Sequence, residues 1–352
     1  MKQTPLHAQH KALDAKMGAF AGYDMPLYYP LGVLKEHEWV RASAGLFDVS
    51  HMGQVSITGA GAQDFLERLT PSSFEKLGVN RIKYSVFIND QGGIVDDLMV
   101  TKTGEDEFHL VINAGCKDKD IAWIKERLPA GLKFTHFEDW VLLALQGPEA
   151  ENVVRDALGI DLKDVPYMGL WYKDYTMFIT RVGYTGEDGF EISVKNEDAP
   201  ALWDKLLDDP RVRPIGLAAR DSLRLEMGYC LYGHELDETT SPLEADLMWV
   251  MRKDAPADFP APLRKRVGVV LLDKGIAREG AEIYDMQGAK IGTLTSGGFS
   301  PTLKQSIGMG YVPLCFAAVG SDIQIDVRGR MIAARVVPLP FLQPKTKTGT
   351  KL

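Results

Sequence analysis

The sequence predicts an α+β protein of several subdomains that ends in a small all-β unit. Up to about residue 250, stretches with apolar residues at helical spacing are interleaved with stretches that alternate with period two. Around Lys253 to Pro262 the composition shifts, and Pro256, Pro260 and Pro262 fall within seven residues. From Val267 onward, short strand-like runs are separated by glycine turns with no convincing helix between them. That is the pattern of a small β-barrel or sandwich. The expected division is a large α+β region over residues 1–258 and a C-terminal β unit over 262–352. A chain of 352 residues is long enough for two or three domains and for a core that needs no disulfide or metal staple.

The elements follow in order. His7 to Met17 and Val33 to Ala42 read as helices, with turns predicted at Ala21 to Pro26 and Tyr29 to Gly32. Val55 to Thr58 alternates like a strand, and Gly61 to Leu69 reads as a helix. Tyr84 to Ile88, the turn Asn89 to Gly93 and Ile94 to Thr101 form a predicted hairpin whose glycines can take positive φ. Phe108 to Ile112 is a further strand and Lys117 to Leu128 a helix. The strand Trp140 to Leu145 is ended by Gly147-Pro148, and the helix Glu149 to Leu158 follows. A second strand–turn–strand comprises Tyr175 to Val182, a turn over Gly183 to Gly189, and Phe190 to Val194. Helices are predicted at Ala199 to Leu207 and Ala218 to Glu226, and β-unit strands at Val267 to Leu272, Ala289 to Thr295 and Ser321 to Val327. The two strand-rich stretches before residue 200 hint at duplicated halves.

Bulk properties exclude several classes. The net charge of −8 and the lack of clustered Lys and Arg argue against nucleic-acid binding. Arg264-Lys265-Arg266 is short and falls in the expected linker. Three widely spaced cysteines and no CxxC pair fit a reducing compartment and argue against structural zinc. The N-terminus lacks the apolar core of a signal peptide, and no run of 18 apolar residues occurs, so no membrane span and a cytoplasmic location are expected. There is no GxxxxGK[ST] loop, no GxSxG elbow and no HExxH. Gly59-Ala60-Gly61 fails as a dinucleotide fingerprint because Asp64 holds the third glycine position. His7 and His10, three apart on a helix without a neighbouring acidic or cysteine ligand, are expected to be surface or interface groups rather than metal ligands.

Three runs could carry chemistry. In Gly92-Gly93-Ile94-Val95-Asp96-Asp97 the adjacent carboxylates point to opposite faces of a strand, one of them inward. A buried carboxylate must be paired or functional, although spacing alone favours a turn-capping pair after Gly92-Gly93. In Gly183 to Glu191, three glycines would let backbone approach a ligand, and Glu191 is fixed by the following strand. A carboxylate there can accept two hydrogen bonds from an aminopyrimidine-like edge; the competing reading is an acidic hairpin loop. In Arg220 to Glu226, Arg220 and Arg224 are four apart on one helix face and could clamp carboxylates or phosphates. The alternative is surface ion pairing of Arg220 with Asp221 and of Arg224 with Glu226.

Together these runs resemble the T-protein family of the glycine cleavage system, the tetrahydrofolate-dependent aminomethyltransferases. The resemblance rests on Ala44 to Gly53, Gly92 to Asp97, Leu145 to Pro148, Gly183 to Glu191, Gly216 to Glu226, Leu231 to Gly233 and Ser300-Pro301, seven stretches in family order across most of the chain. It implies two α+β units forming a folate site and a C-terminal β-barrel. It implies transfer of the one-carbon unit from an aminomethyl-lipoyl arm of a partner H-protein to tetrahydrofolate, with release of ammonia and no metal. The reaction develops iminium-like positive charge, which a carboxylate against the folate nitrogens would stabilise. The resemblance gives that role to Asp97, the pterin contact to Glu191 and the glutamate tail of folate to Arg220. Tyr84, Asn113, Tyr184 and Tyr232 would wall the pocket. Because the partner is typically acidic, Lys2, Lys11, Lys16 and Lys35 are candidate docking residues. The tail Gln343 to Leu352 lacks the tyrosines that some family members carry. Two other activities occur on the same fold: folate-dependent demethylation of a methoxy or sulfonium substrate, and non-catalytic folate binding in iron–sulfur assembly.

Overall fold

In the computed structural model, which describes residues 1–173, 175–253 and 259–347, the chain forms two compact units. The first takes residues 1–85, 97–220 and the chain from Lys345; the second takes 86–96 and 221–344. Part of the proline-rich stretch used to place the boundary, residues 254–258, and the last residues of the tail, 348–352, lie outside the described residues.

The first unit is built on two sheets. Its six-stranded sheet has the order β10 (Leu170–Lys173), β11 (Met177–Thr180), β12 (Gly189–Lys195), β9 (Trp140–Gln146), β3 (Ala44–Asp48) and β13 (Val212–Pro214). Strand β9 is apolar from Val141 to Leu145 and buried throughout that run. Such a continuous run marks a central strand covered on both faces. Helix α6 (Ala199–Leu207) buries Ala199, Leu202, Trp203 and Leu206, one stripe at helical spacing. That stripe joins the cluster of Leu46, Leu143, Ile192 and Val212.

The second sheet has the order β5 (Arg81–Ile88), β6 (Ile94–Gly104), β7 (Glu107–Ile112), β4 (Gly53–Thr58) and β8 (Lys133–His136). The β5–β6 hairpin turns at Gly92, whose φ of +80° suits glycine, with Asn89 capping the turn. Helix α3 (Ala62–Leu69) buries Ala62, Phe65, Leu66 and Leu69 in the same helical rhythm.

The second unit contains a closed six-stranded barrel. Its order is β14 (Arg264–Leu271), β17 (Gln305–Pro313), β16 (Lys290–Ser300), β15 (Glu282–Tyr284), β18 (Asp322–Asp326) and β19 (Met331–Val337), with β19 returning to β14. Ile332, Ala334 and Val336 alternate inward and pack with Val267, Val269, Ile323 and Ile325. Closure removes the free edges that six short strands would otherwise expose.

Several expectations are corrected. The first helix, α1, stops at Ala12; Lys16–Phe20 (β1) and Tyr23–Tyr28 (β2) form a hairpin where a helix end and a turn were expected. Leu13 and Asp14 break the helical rhythm, and Asp14 takes a left-handed φ of 54°. Arg264-Lys265-Arg266 is no linker but the start of β14, and Arg266 is buried with its guanidinium on the Ala245 and Gly228 carbonyls. His10 is not at the surface: it is 0% exposed, between Asp48 and Tyr29. The acidic neighbour missing from its local sequence arrives 38 residues later on β3. No helix among the described residues is long and apolar enough to cross a membrane.

Candidate functional site

The site grows from strand alternation in the first unit. Asp97 lies on β6, and its alternation partners on that face are Met99 and Thr101. On β7 the equivalent face continues from His109 and Val111 to Asn113, just past the strand end; on β5 it carries Ile82 and Tyr84. Met99 lies opposite Val111, and Thr101 opposite His109. The next rung brings Tyr84, Asp97 and Asn113 together. Tyr84 donates its hydroxyl to Asp97 Oδ2 at 3.0 Å, and Asn113 Nδ2 donates to Asp97 Oδ1 at 2.7 Å. The Asp97 carboxylate is thus held on both oxygens and is only half-buried. Asp96, on the opposite face, is fully buried.

Met99, Thr101, His109, Val111 and Ile82 line a cavity whose other wall is the six-stranded sheet. From that wall come Thr180, Glu191 and Ser193. Glu191 pairs with Thr180 on β11 and Ala144 on β12's other neighbour, so the ladder fixes its position. Its side chain keeps some accessible surface toward the cavity, yet burial raises its pKa, partly offset by the Arg220 guanidinium. No protein donor reaches its carboxylate among the described residues.

Arg220 lies on α7 (Leu217–Glu226), with its guanidinium 4.7 Å from the Tyr184 ring centroid. Its Nη1 is buried without a hydrogen-bond partner. Glu191, Arg220 and Tyr184 therefore form a second group, in which a carboxylate and a guanidinium both retain unused hydrogen-bonding capacity. A ligand is the simplest source of the missing partners.

The Gly183–Gly189 loop behaves differently from expectation. A Cβ on Gly183 would stand 1.8 Å from Gln146 Oε1, and one on Gly189 would stand 2.5 Å from the Leu145 carbonyl. Gly183 and Gly189 thereby let the loop pack closely on β9. Gln146 holds it there, donating to the Val182 carbonyl at 2.9 Å and accepting from Thr185 Oγ1 at 2.9 Å.

The expected pairing of Arg220 with Arg224 does not form a clamp. Arg224 is buried on Glu235 at 2.9 Å, with Asp221 and Ser296 as further partners. Glu226 accepts from Ser300 and Thr302. Residues four apart on a helix share a face only approximately, and α7 directs Arg220 over the Tyr184 ring and Arg224 onto Glu235. Tyr232 belongs to the second unit, where its hydroxyl donates to the Ile94 carbonyl at 3.2 Å. Among the described residues, no group of three His, Cys, Asp or Glu side chains could hold a metal ion.

Residue-by-residue reading passed over His51, which lies within the quoted Ala44 to Gly53 run. It is 3% exposed, its buried Nδ1 has no hydrogen-bond partner among the described residues, and its ring meets Phe20 and Tyr23 edge-on. Burial drives its pKa down to about 3, opposed by Asp48 and reinforced by Arg220 and Lys117. His109, stacked on Phe178 at 5.7 Å, is held at about 4 by burial. The alternation of β7 was the available signal for His109; nothing local marked His51.

These two histidines predict a pH dependence. Their folded pKa values lie below the ordinary 6.5, so below that pH the unfolded chain binds more protons than the native one. Stability should therefore fall as pH drops from about 6.5 toward 4, by up to about 1.4 kcal/mol per pH unit for each histidine. Urea unfolding at pH 7, 6 and 5 measures the slope. His109→Phe, which retains the stack, should flatten it; an unchanged slope would remove His109 from this account.

The comparisons with known proteins agree with the geometry. Residues 6–255 match the family described as the GCVT N-terminal domain, and residues 264–343 match the glycine cleavage T-protein C-terminal barrel domain. An aminomethyltransferase of Flavobacterium psychrophilum is 41% identical over 97% of this chain and 99% of its own. The mitochondrial aminomethyltransferase of Dictyostelium discoideum is 40% identical over 99% of this chain and 94% of its own. The crystal structure of the glycine cleavage system aminomethyltransferase T from Bartonella henselae superposes with a TM-score of 0.95 at 42% identity, covering 99% of both chains. With both family matches in order and relatives similar over nearly their full length, this chain belongs to the glycine cleavage T-protein family of aminomethyltransferases.

Proposed function

We propose that the chain transfers the one-carbon unit of an aminomethyl-lipoyl arm, carried by an H-protein, to tetrahydrofolate. Ammonia is released, and the products are 5,10-methylene-tetrahydrofolate and the reduced lipoyl arm. The observation that carries this reading is the cavity between the two sheets of the first unit. It presents a half-buried carboxylate, Glu191, that no protein donor reaches among the described residues, and the charge of Arg220, whose buried Nη1 has no partner among them, acts on that carboxylate from outside the cavity lining. An aminopyrimidine edge supplies the two adjacent N–H groups a carboxylate accepts.

In this reading Glu191 holds the pterin, and Arg220 takes a folate oxygen, with the carboxylates of the glutamate tail as its expected partner. Tyr184 supplies an aromatic wall. Asp97 faces the developing positive charge and orients or accepts a proton. Tyr84 and Asn113 occupy both of its oxygens, which fixes its direction before substrate arrives. The chain needs no metal for this chemistry, and we place it in the cytoplasm. Lys2, Lys11, Lys16 and Lys35, all exposed on the first unit, are the proposed contacts for an acidic H-protein. The division into residues 1–258 and 262–352 is retained as a proposal for how the folate region and the barrel are encoded.

The test is folate-dependent ammonia release from aminomethylated H-protein, with the folate product identified. Formation of 5-methyl-tetrahydrofolate from a methoxy or sulfonium donor would favour the demethylase reading instead. Tight folate binding with no turnover would favour the assembly factor. Tetrahydrofolate at 100 times its Kd should stabilise the fold by about 2.7 kcal/mol, read as a rise in Tm.

A further inference from the structure

The chain returns to the first unit at its C-terminal end and lies along the loop that carries Tyr184 and leads into Glu191. Lys345 N donates to the Gly186 carbonyl at 2.7 Å, and Lys345 Nζ reaches Glu187 Oε1 at 3.2 Å. Glu187 is 3% exposed and also receives Arg41 at 3.1 Å. Two residues on, Lys347 N donates to Asp188 Oδ1 at 3.4 Å and Lys347 Nζ to Glu151 at 2.8 Å, while its carbonyl accepts from Tyr167 N at 3.2 Å. Asp188 and Glu151 share the fully buried Arg181, which also donates to the Leu162 and Val165 carbonyls.

The loop between Val182 and Gly189 has no helix or strand of its own. Its inner side is held by Gln146 and by Arg41 on the Thr185 carbonyl. Its outer side carries two acidic residues, Glu187 and Asp188, and both tail lysines fall on them or on the Glu151 that shares Arg181 with Asp188. Four cations, Arg41, Arg181, Lys345 and Lys347, thereby meet three carboxylates, two on the loop and Glu151 on the helix at Ala150–Val153. None of these groups lines the cavity.

We propose that Lys345 and Lys347 form a C-terminal strap that positions the ligand-facing residues Tyr184 and Glu191 through the loop between them. They are positioning residues: they touch the loop, not the substrate. The tail of this chain lacks tyrosines, so its contribution to folate binding runs through the charge pairs on Glu187 and Glu151. The loop must present an aromatic ring and a carboxylate in fixed relation to bind a flat heterocycle, and a loose loop spends part of that binding on ordering itself. The expected signature is a change in KM for folate without a matching change in kcat.

This inference rests on the folate reading of Glu191, so the experiment separates the two. The full-length variants Lys345→Ala/Lys347→Ala, Lys345→Arg/Lys347→Arg and Glu191→Gln are compared with wild type in KM and kcat for tetrahydrofolate and in amide hydrogen exchange of residues 183–189. The double alanine variant should raise KM about tenfold with kcat within about twofold, and should speed exchange in the loop while leaving the barrel strands protected. The double arginine variant should restore both. Both lysine side chains are partly exposed, so Tm should change little. The strap is overturned if Glu191→Gln raises KM while the double alanine variant matches wild type in KM and in loop exchange. It is also overturned if exchange rises equally throughout the chain, since that is general destabilisation. If Glu191→Gln leaves KM unchanged, it is the folate reading that fails; the exchange result then still decides whether the tail orders the loop.

Discussion

Asp97→Asn is expected to lower kcat by about 10²–10⁴-fold, the range for loss of a positioned acid–base or electrostatic group. KM for tetrahydrofolate should stay within a few-fold of wild type. The substitution is nearly isosteric, and an amide oxygen can still accept from Asn113 or Tyr84, which now hold Asp97 at 2.7 and 3.0 Å. What is lost is the negative charge, so the defect should sit in the transition state rather than in ground-state binding. Asp97→Ala removes the shared acceptor as well and should be at least as slow. Asp96→Ala makes the contrast: its carboxylate is 0% exposed on the opposite strand face, so the variant should lose thermal stability before it loses chemistry. Wild-type turnover by Asp97→Ala, together with an inactive but folded Asp96→Ala, would assign the chemistry to the wrong aspartate here.

Glu191→Gln is expected to weaken tetrahydrofolate binding by about 10²-fold. Hydrogen bonds to a charged group contribute about 1.5–3 kcal/mol each, and every 1.4 kcal/mol is a factor of ten. Glutamine also turns one acceptor into a donor, opposite the N–H groups it should receive. The same change removes the carboxylate beside Arg220, whose buried guanidinium then lacks its compensating charge. A drop in the apo Tm should accompany the loss of affinity. Binding in wild type should also weaken on acidification at a pH above the ordinary glutamate value of 4.5. Burial raises this carboxyl's pKa, and it holds its charge only above that raised value. Isothermal titration of both proteins between pH 5 and 8 measures the two effects. Equal affinities would remove Glu191 from the pterin contact.

Much of the architecture was legible because periodicity reports burial directly. The stripe of Ala62, Phe65, Leu66 and Leu69 declares a helix and its inward face, and the unbroken apolar run of β9 declares a buried strand. The β1–β2 hairpin was missed because its strands are short and buried at only Met25 and Pro26, which leaves no apolar alternation to read. Strand β3 was likewise missed: Ala44 to Asp48 is buried at every position, but Ala, Gly and Asp interrupt the apolar run that β9 keeps unbroken.

The sequence by itself determined that a carboxylate pair sits early in a return strand and that its two members face opposite ways, since alternation is a property of the local backbone. It also placed Glu191 at the start of the strand that follows a glycine-rich loop and revealed the family through seven ordered runs. Only the tertiary structure decided which groups meet. Strand pairing put Tyr84 and Asn113 on the two oxygens of Asp97, and sheet packing set Glu191 across the cavity from Met99 and Thr101. It buried His10 on an aspartate 38 residues away, and it turned Arg224 away from Arg220 toward Glu235. These outcomes depend on contacts between residues far apart in the chain, and a charged side chain takes whichever buried partner the fold brings to it.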